Sequence, residues 1–182
     1  MKCTSCKVGV LSPSFIDGLF RAHTCTECGG NWILVEDYVS WKENNPEYPA
    51  TEEVSCEVVD TETALLCPQS GTIMRKFRIT SKNSHRLDYS SPVGGIWLDK
   101  GEWDLIKQDG LAGSLNAVLT VQWQKNIRMN AAKENFSALY ADKFGQESYT
   151  KAQEIRKWID NHPNKSDLRA YLLAEDPYSA ER

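Results

Sequence analysis

The order of apolar and polar positions divides the chain into a strand-rich first half and a helix-rich second half. In VGVLSPSFIDGLFRAHTC, residues 8–25, two short apolar runs flank Asp17-Gly18, a dipeptide suited to a tight hairpin turn. Residues 33–43, ILVEDYVSWKE, carry Val35, Tyr38 and Val39 on one stripe and predict a short helix. A second run then follows in the same order. LCPQSGTIMRKFRIT opens it with a strand, Ser81 to Ser84 supply a turn, His85 to Tyr89 a return strand, and GGIWLDKGEWDLI a helix start. Asp99 and Glu102 stand three apart, the spacing of a capping box. From Gly110 onward the period becomes helical: Leu115, Leu119, Trp123, Ile127, Phe136, Leu139 and Tyr140 predict one long amphipathic helix over 114–143, ended by Gly145. Residues 147–160 predict a second helix with Ile155, Trp158 and Ile159 inward, and a third follows, capped by Asn164 or Ser166 and carrying Leu168, Tyr171, Leu172 and Leu173.

Composition adds a class to this pattern. The 182 residues are 41% hydrophobic and 25% charged, a globular balance. No apolar run reaches the ~18 residues that predict a membrane span, and the N-terminus lacks the apolar core of a signal peptide. These features predict a cytoplasmic protein whose thiols stay reduced, with no membrane partner. A net charge of -4 argues against a broad basic surface for duplex DNA. The charge is uneven, however. Between residues 46 and 66 lie Glu47, Glu52, Glu53, Glu57, Asp60 and Glu62 and no base, whereas Arg75, Lys76, Arg78, Lys82 and Arg86 crowd the second predicted hairpin.

The six cysteines change the picture most. Cys3, Cys6, Cys25 and Cys28 form two Cys-x2-Cys pairs at the two ends of the first hairpin, the sequence form of a closed tetrahedral zinc site. Gly9 and Gly29-Gly30 follow the pairs, where the chain must turn tightly. A redox dithiol at Cys3 and Cys6 is the competing reading, but one pair would suffice for that chemistry. Four thiolates leave no position for an activated water, so the predicted zinc, one per chain, is structural. Knuckle, hairpin, knuckle, helix resembles a treble-clef finger more than a plain zinc ribbon. In the second run the four ligand positions hold Cys67, Ser70, Ser90 and Val93, a set that cannot hold zinc tightly. His85 is one further donor near Cys67, although a lone strand histidine is ordinarily not a ligand.

The fold class read from these residues is α+β: small zinc-finger units (knuckle, β-hairpin, knuckle, short helix) followed by an all-α C-terminal region. The expected boundaries are a zinc-binding finger at 1–45, an acidic linker at 46–64, a degenerate metal-free finger at 65–108, a helical region at 109–176 and a frayed tail at 177–182. CTECGGNW (25–32) and SSPVGGIW (90–97) share the ending Gly-Gly-x-Trp, and WLDKGE follows the second. In these motifs the chain resembles bacterial proteins carrying the transcription factor IIB-type zinc-finger domain, whose repeat opens on Cys-Pro-x-Cys and closes on Cys-x2-Cys-Gly-Gly-x-Trp-Leu-Asp-x-Gly-Glu. The first run has all four cysteines but departs at WILVEDY; the second keeps GGIWLDKGEW and departs at three of the four ligands. The resemblance implies two fingers followed by a helical tail.

Three function classes follow. The first is a non-catalytic zinc-binding adaptor whose helical region docks a protein partner or a second copy of the chain as a homodimer. The alternative is binding of RNA or single strands through Arg75, Lys76, Arg78, Lys82 and Arg86, with Phe77 between them to stack a base. The bland reading of those bases is a solvated strand face. An enzyme is not expected, because the chain has no phosphate loop, no His-Glu-x2-His and no nucleophile-base grouping, and Cys56 and Cys67 are single thiols.

Overall fold

The computed structural model describes residues 1–46 and 61–178. The acids Glu47, Glu52, Glu53, Glu57 and Asp60, the thiol of Cys56 and the last four residues of the tail lie outside the described residues. The chain divides into two compact units, 1–130 and 131–182.

The first unit is built on a six-stranded antiparallel sheet. Asp17 (φ 47°) and Gly18 (φ 70°) take the left-handed turn that joins β1 (Leu11–Ile16) to β2 (Phe20–Cys25). β3 (Asn31–Leu34) lies antiparallel to β2, and α1 (Val35–Asn44) begins directly after it. The second half of the sheet runs through β4 (Arg75–Arg78), β5 (Arg86–Ser90) and β6 (Gly95–Leu98), followed by α2 (Glu102–Gln108). The spatial order is β1-β2-β3-β6-β5-β4, so the two hairpins lie at the outer edges and the last strand of each finger meets at the center.

This central pair is the main difference from the sequence reading, which has no third strand in either finger and starts the first helix at residue 33. Asn-Trp-Ile-Leu and Gly-Ile-Trp-Leu are short, but they pair with each other. The register sets Trp32 opposite Trp97 and Ile33 opposite Ile96. Each finger is thereby a three-stranded meander with a helix appended, closer to a zinc ribbon than the knuckle–hairpin–knuckle–helix order suggests. Alternation along the strands sends the two pairs to opposite faces. Ile33, Ile96 and Leu98 join Phe20, Tyr38, Trp41, Leu87, Trp103 and Ile106 in a core beneath the helices. Trp32 and Trp97 join Cys3, Leu11, Cys25, Leu65, Cys67 and Met74 in a second core at the knuckle ends. The first finger therefore contributes Ile16, Phe20, Ala22, Ile33, Tyr38 and Trp41 to one core and Leu11 and Trp32 to the other.

The close contact explains Gly-Gly-x-Trp. A Cβ on Gly30 would sit 2.3 Å from the Trp97 ring, and one on Gly95 would sit 2.1 Å from the Trp32 ring. Each glycine makes room for the tryptophan of the other finger. The first glycines, Gly29 (φ 72°) and Gly94 (φ 65°), turn the chain out of the knuckle.

Beyond α2, the long helix predicted over 114–143 is interrupted. A single turn, α3 (Leu115–Val118), ends before α4 (Val121–Phe144) begins. Leu115 and Val118 are fully buried in the core, which fixes the direction of α3. Thr120 restarts the chain: its Oγ1 accepts the Trp123 N–H at 3.2 Å, an N-cap contact. Gln124 then covers the β4 edge, accepting the Arg78 N–H at 3.1 Å and donating to the Arg78 carbonyl at 2.8 Å.

In the second unit, α4 ends at Gly145 (φ 77°) and is followed by α5 (Gln146–Asp160) and α6 (Lys165–Leu173). Of the three side chains expected to face inward from α5, only Ile159 is buried; Ile155 is 50% exposed and Trp158 56%. Helical spacing aligns these residues on a stripe, but the described residues of this small unit cover it only at Ile159 and leave Ile155 and Trp158 open.

Candidate metal centre

The first knuckle is shaped by the chain around Cys3 and Cys6. The Cys3 N–H donates to the Gly9 carbonyl at 2.9 Å, and the Gly9 N–H points at the Cys6 sulfur at 3.3 Å. Gly9 has to be glycine for a reason beyond turning: a Cβ there would lie 2.4 Å from the Cys25 sulfur. In the second knuckle the Gly29 N–H donates to the Cys25 carbonyl at 3.2 Å, and the Glu27 N–H points at the Cys25 sulfur at 3.5 Å.

These turns bring all four predicted sulfurs together. The ligand atoms of Cys3, Cys6, Cys25 and Cys28 lie within 4.8 Å of one another. Cys3 and Cys28 are 3.7 Å apart, as are Cys6 and Cys25. Sulfurs at about 2.3 Å from a tetrahedral zinc would be about 3.8 Å apart, so the cage has the size of a zinc site. The donor set fits as well, four soft thiols with backbone N–H groups directed at them. Cys3 and Cys25 are buried and Cys6 and Cys28 partly so, which closes the site against a water ligand.

The thiols differ in acidity. Backbone N–H groups of Gly9 and Val8 pull the Cys6 thiol down to about 6. Burial pushes Cys3 up to about 12 and also raises Cys28. A bound zinc overrides both tendencies, since a coordinating thiol is deprotonated outright. Among the described residues this is the one group of three or more metal-type side chains, and neither Cys67 nor His85 belongs to such a group.

The corresponding end of the second finger keeps the backbone and changes the side chains. The Cys67 N–H donates to the Thr72 carbonyl at 2.8 Å and the Gly94 N–H to the Ser90 carbonyl at 2.8 Å, echoing the contacts of Cys3 and Cys25. Isolated bridges join Lys2 to Val10 and Leu66 to Ile73. At the ligand positions stand a buried Cys67, Ser70, a buried Ser90 and Val93, with Leu65 and Met74 packed beside them. Burial raises the Cys67 thiol, but the polar groups of Ser70 and Ser90 beside it outweigh that and leave the thiol below its ordinary value.

The WLDKGE segment has roles that sequence reasoning missed. Glu102 does reach back to the Asp99 N–H at 2.8 Å, half of the expected capping box. The Asp99 carboxylate does not cap the helix. It accepts the Trp97 indole N–H at 2.7 Å and the Thr61 N–H at 2.7 Å. Gly101 (φ 85°) takes the left-handed position just before α2. In the first finger Leu34 stands where Asp99 would be, and the buried Trp32 indole N–H has no acceptor among the described residues. The signal available in the sequence was the coincidence of Trp-Leu-Asp with Gly-Gly.

The basic hairpin is less free than its composition suggests. Lys76 donates to Asp88 at 2.9 Å and to the Thr61 carbonyl at 2.6 Å. Arg78 donates to the Asn83 carbonyl at 2.8 Å. Arg75, Lys82 and Arg86 are exposed, and the Arg75 guanidinium lies 5.9 Å from the Phe77 ring center. Phe77 is half-buried against Tyr89, and Ile79 is fully buried.

The first three strands and the thiol cage define a zinc-finger-type domain suited to hold a metal, and a helical region lies C-terminal to the sheet. Residues 2–44 match the family model described as Transcription factor zinc-finger, of the TFIIB zinc-ribbon type. No curated protein and no solved structure matches the chain. No helix among the described residues is long and apolar enough to cross a membrane.

Proposed function

We propose that the chain is a non-catalytic adaptor held together at one end by a single structural zinc on Cys3, Cys6, Cys25 and Cys28. The closed thiol cage supports a structural role for the metal, since no coordination position is left for substrate or water. The observation that carries the adaptor reading is the exposed apolar surface of the second unit. Phe136, Leu139, Phe144, Ile155, Trp158 and Leu173 are each at least 49% exposed there, and Ile159 is the one buried apolar residue among its described positions. Such a concentration of exposed apolar side chains supports reading this face as an interaction surface. Affinity capture from the native cell, followed by reconstitution from purified components, tests this reading. The expected result is a protein that binds the zinc-loaded chain in fixed ratio. If no protein binds the purified chain, the reading falls.

A second reading, binding of RNA or single strands, draws on exposed Arg75, Lys82 and Arg86 beside the half-buried Phe77. The engagement of Lys76 with Asp88 and of Arg78 with Asn83 removes two of its five cations from easy reach. Binding to single strands that falls steeply with salt would favour it, and no binding at low salt would dismiss it.

A further inference from the structure

The helical second unit carries a groove of about 990 Å³ between the end of α4 and α5. Its floor is aromatic: Phe136, Tyr140 and Phe144 lie along one face of α4, and Tyr149 lines it from α5. Tyr140 stacks on Phe144 with ring centers 5.6 Å apart and on Tyr149 at 6.4 Å. The Tyr149 hydroxyl is 2.9 Å from the Ser137 hydroxyl, which ties α5 to α4 and fixes the width of the opening. From Phe136 to Phe144 the floor runs a little over two helical turns, roughly 12 Å. That length suits the apolar stripe of another helix, read at positions i, i+3 or i+4, and i+7.

The rim decides what kind of helix. Lys133, Arg156 and Lys157 line the groove, all three are exposed, and none makes an ion pair among the described residues. The one carboxylate in the lining, Asp160, is already paired with Arg169. Among the described residues the groove is therefore an aromatic trough with an uncompensated positive rim. A second copy of the chain placed groove to groove would set Lys133, Arg156 and Lys157 against the same residues, because a two-fold contact is self-facing. Like charges across an interface oppose binding.

The geometry points to an acidic amphipathic helix of a partner protein as the occupant of the α4–α5 groove, with apolar anchors on the aromatic floor and Asp or Glu facing Lys133, Arg156 and Lys157. This inference rests on the adaptor reading and supplies the partner chemistry that reading lacks.

A displayed library of random helical peptides, selected against the full-length zinc-loaded protein, tests it. The expected winners carry Leu, Ile, Phe or Trp at helical spacing and Asp or Glu on the flanks. They should bind about tenfold more weakly to the double variant Lys133→Glu, Arg156→Glu, and weaken as salt rises. Both positions are exposed, so the variant keeps its fold, which circular dichroism verifies. Tyr140→Ser should reduce binding without changing the salt dependence. Failure to enrich any peptide, winners with neutral or basic flanks, or winners that bind the double variant equally well overturn the inference. So does a chain dimer that dissociates on Tyr140→Ser and selects no peptide. If a captured cellular partner still binds the groove variants, the adaptor reading stands and the groove inference alone falls.

Discussion

The two halves of the sheet share one order of three strands and a helix, yet their knuckle ends are lined by different side chains. In the first, four thiols within 4.8 Å of one another form a cage of zinc size. In the second, Cys67, Ser70, Ser90 and Val93 occupy the same places, and Leu65 and Met74 pack beside them. What both retain is the interlock at the center, Gly30 under Trp97 and Gly95 under Trp32. The comparison separates two jobs. The thiol cage closes one knuckle, whereas Gly-Gly-x-Trp joins the two halves of the sheet. The second finger adds its own reinforcement: its Trp97 indole has Asp99 as an acceptor, whereas Trp32 has none among the described residues.

The largest test removes the metal from one side of this comparison. Cys25→Ser should abolish zinc binding, whose apparent free energy in small structural sites is of order 10 kcal/mol, and should lower the melting temperature sharply. Cys67→Ser should leave the zinc content unchanged. Metal analysis and thermal melts of both variants decide the matter; an equal loss of metal in the two would erase the distinction between the fingers. The reverse experiment builds the missing cage. With Ser70→Cys, Ser90→Cys and Val93→Cys beside the existing Cys67, the matching backbone contacts at Cys67 and Ser90 should present four thiols to a second zinc. A cobalt titration followed by thiolate absorption should show a second equivalent. Saturation at the wild-type amount would mean that the second knuckle has drifted from the geometry of the first.

Next in size are changes to the shared interlock. Trp97 is fully buried, and Trp97→Ala should cost about 3–5 kcal/mol. Its effect should reach the first finger, read as weaker zinc retention against a chelator. Gly95→Ala adds one methyl 2.1 Å from the buried Trp32 ring and should cost about 1–3 kcal/mol by overpacking. A neutral result in denaturant melts would show that Trp32 can move aside.

The parts legible in the sequence were those fixed by neighbors along the chain. Cys-x2-Cys spacing located the sulfurs, Asp17-Gly18 located the first turn, and Gly145 located the end of α4. The β3–β6 pairing was not legible, because it is a property of two four-residue segments far apart, and each alone resembles the start of its helix. The break at Leu119–Thr120 was hidden for a related reason: Leu115, Leu119, Trp123 and Ile127 keep a helical period across it, while the burial of Leu115 and Val118 dictates a separate turn. In α5 the periodicity identified the apolar stripe of Ile155, Trp158 and Ile159 correctly. It had no means of telling whether anything covers that stripe. The same limit applied to the basic hairpin, where composition showed five cations and not the Asp88 and Asn83 contacts that engage two of them.

The smallest predicted effect concerns a tie between the fingers on the helix side. Asp17, at the tip of the first hairpin, accepts the Trp103 indole N–H at 2.9 Å and the Lys107 ammonium at 2.7 Å, both from α2. Lys107 also meets Asp104 at 3.0 Å. Burial of Lys107 works against its charge, but hydrogen bonds and Coulomb attraction from Asp17 and Asp104 prevail and raise its pKa above the ordinary lysine value. A lysine raised in the folded state adds stability that is complete below its unfolded value of about 10.4 and is lost as pH climbs through the folded value. Asp17→Asn keeps a residue that tolerates the left-handed turn and removes the charge. It should cost about 1 kcal/mol at neutral pH, discounted for the partial exposure of Asp17. The gap between variant and wild type should then narrow only at strongly alkaline pH, as Lys107 loses its proton. Denaturant melts at neutral pH and above the lysine range measure both values. A gap unchanged at high pH would assign the tie to Trp103 and leave Lys107 out of it.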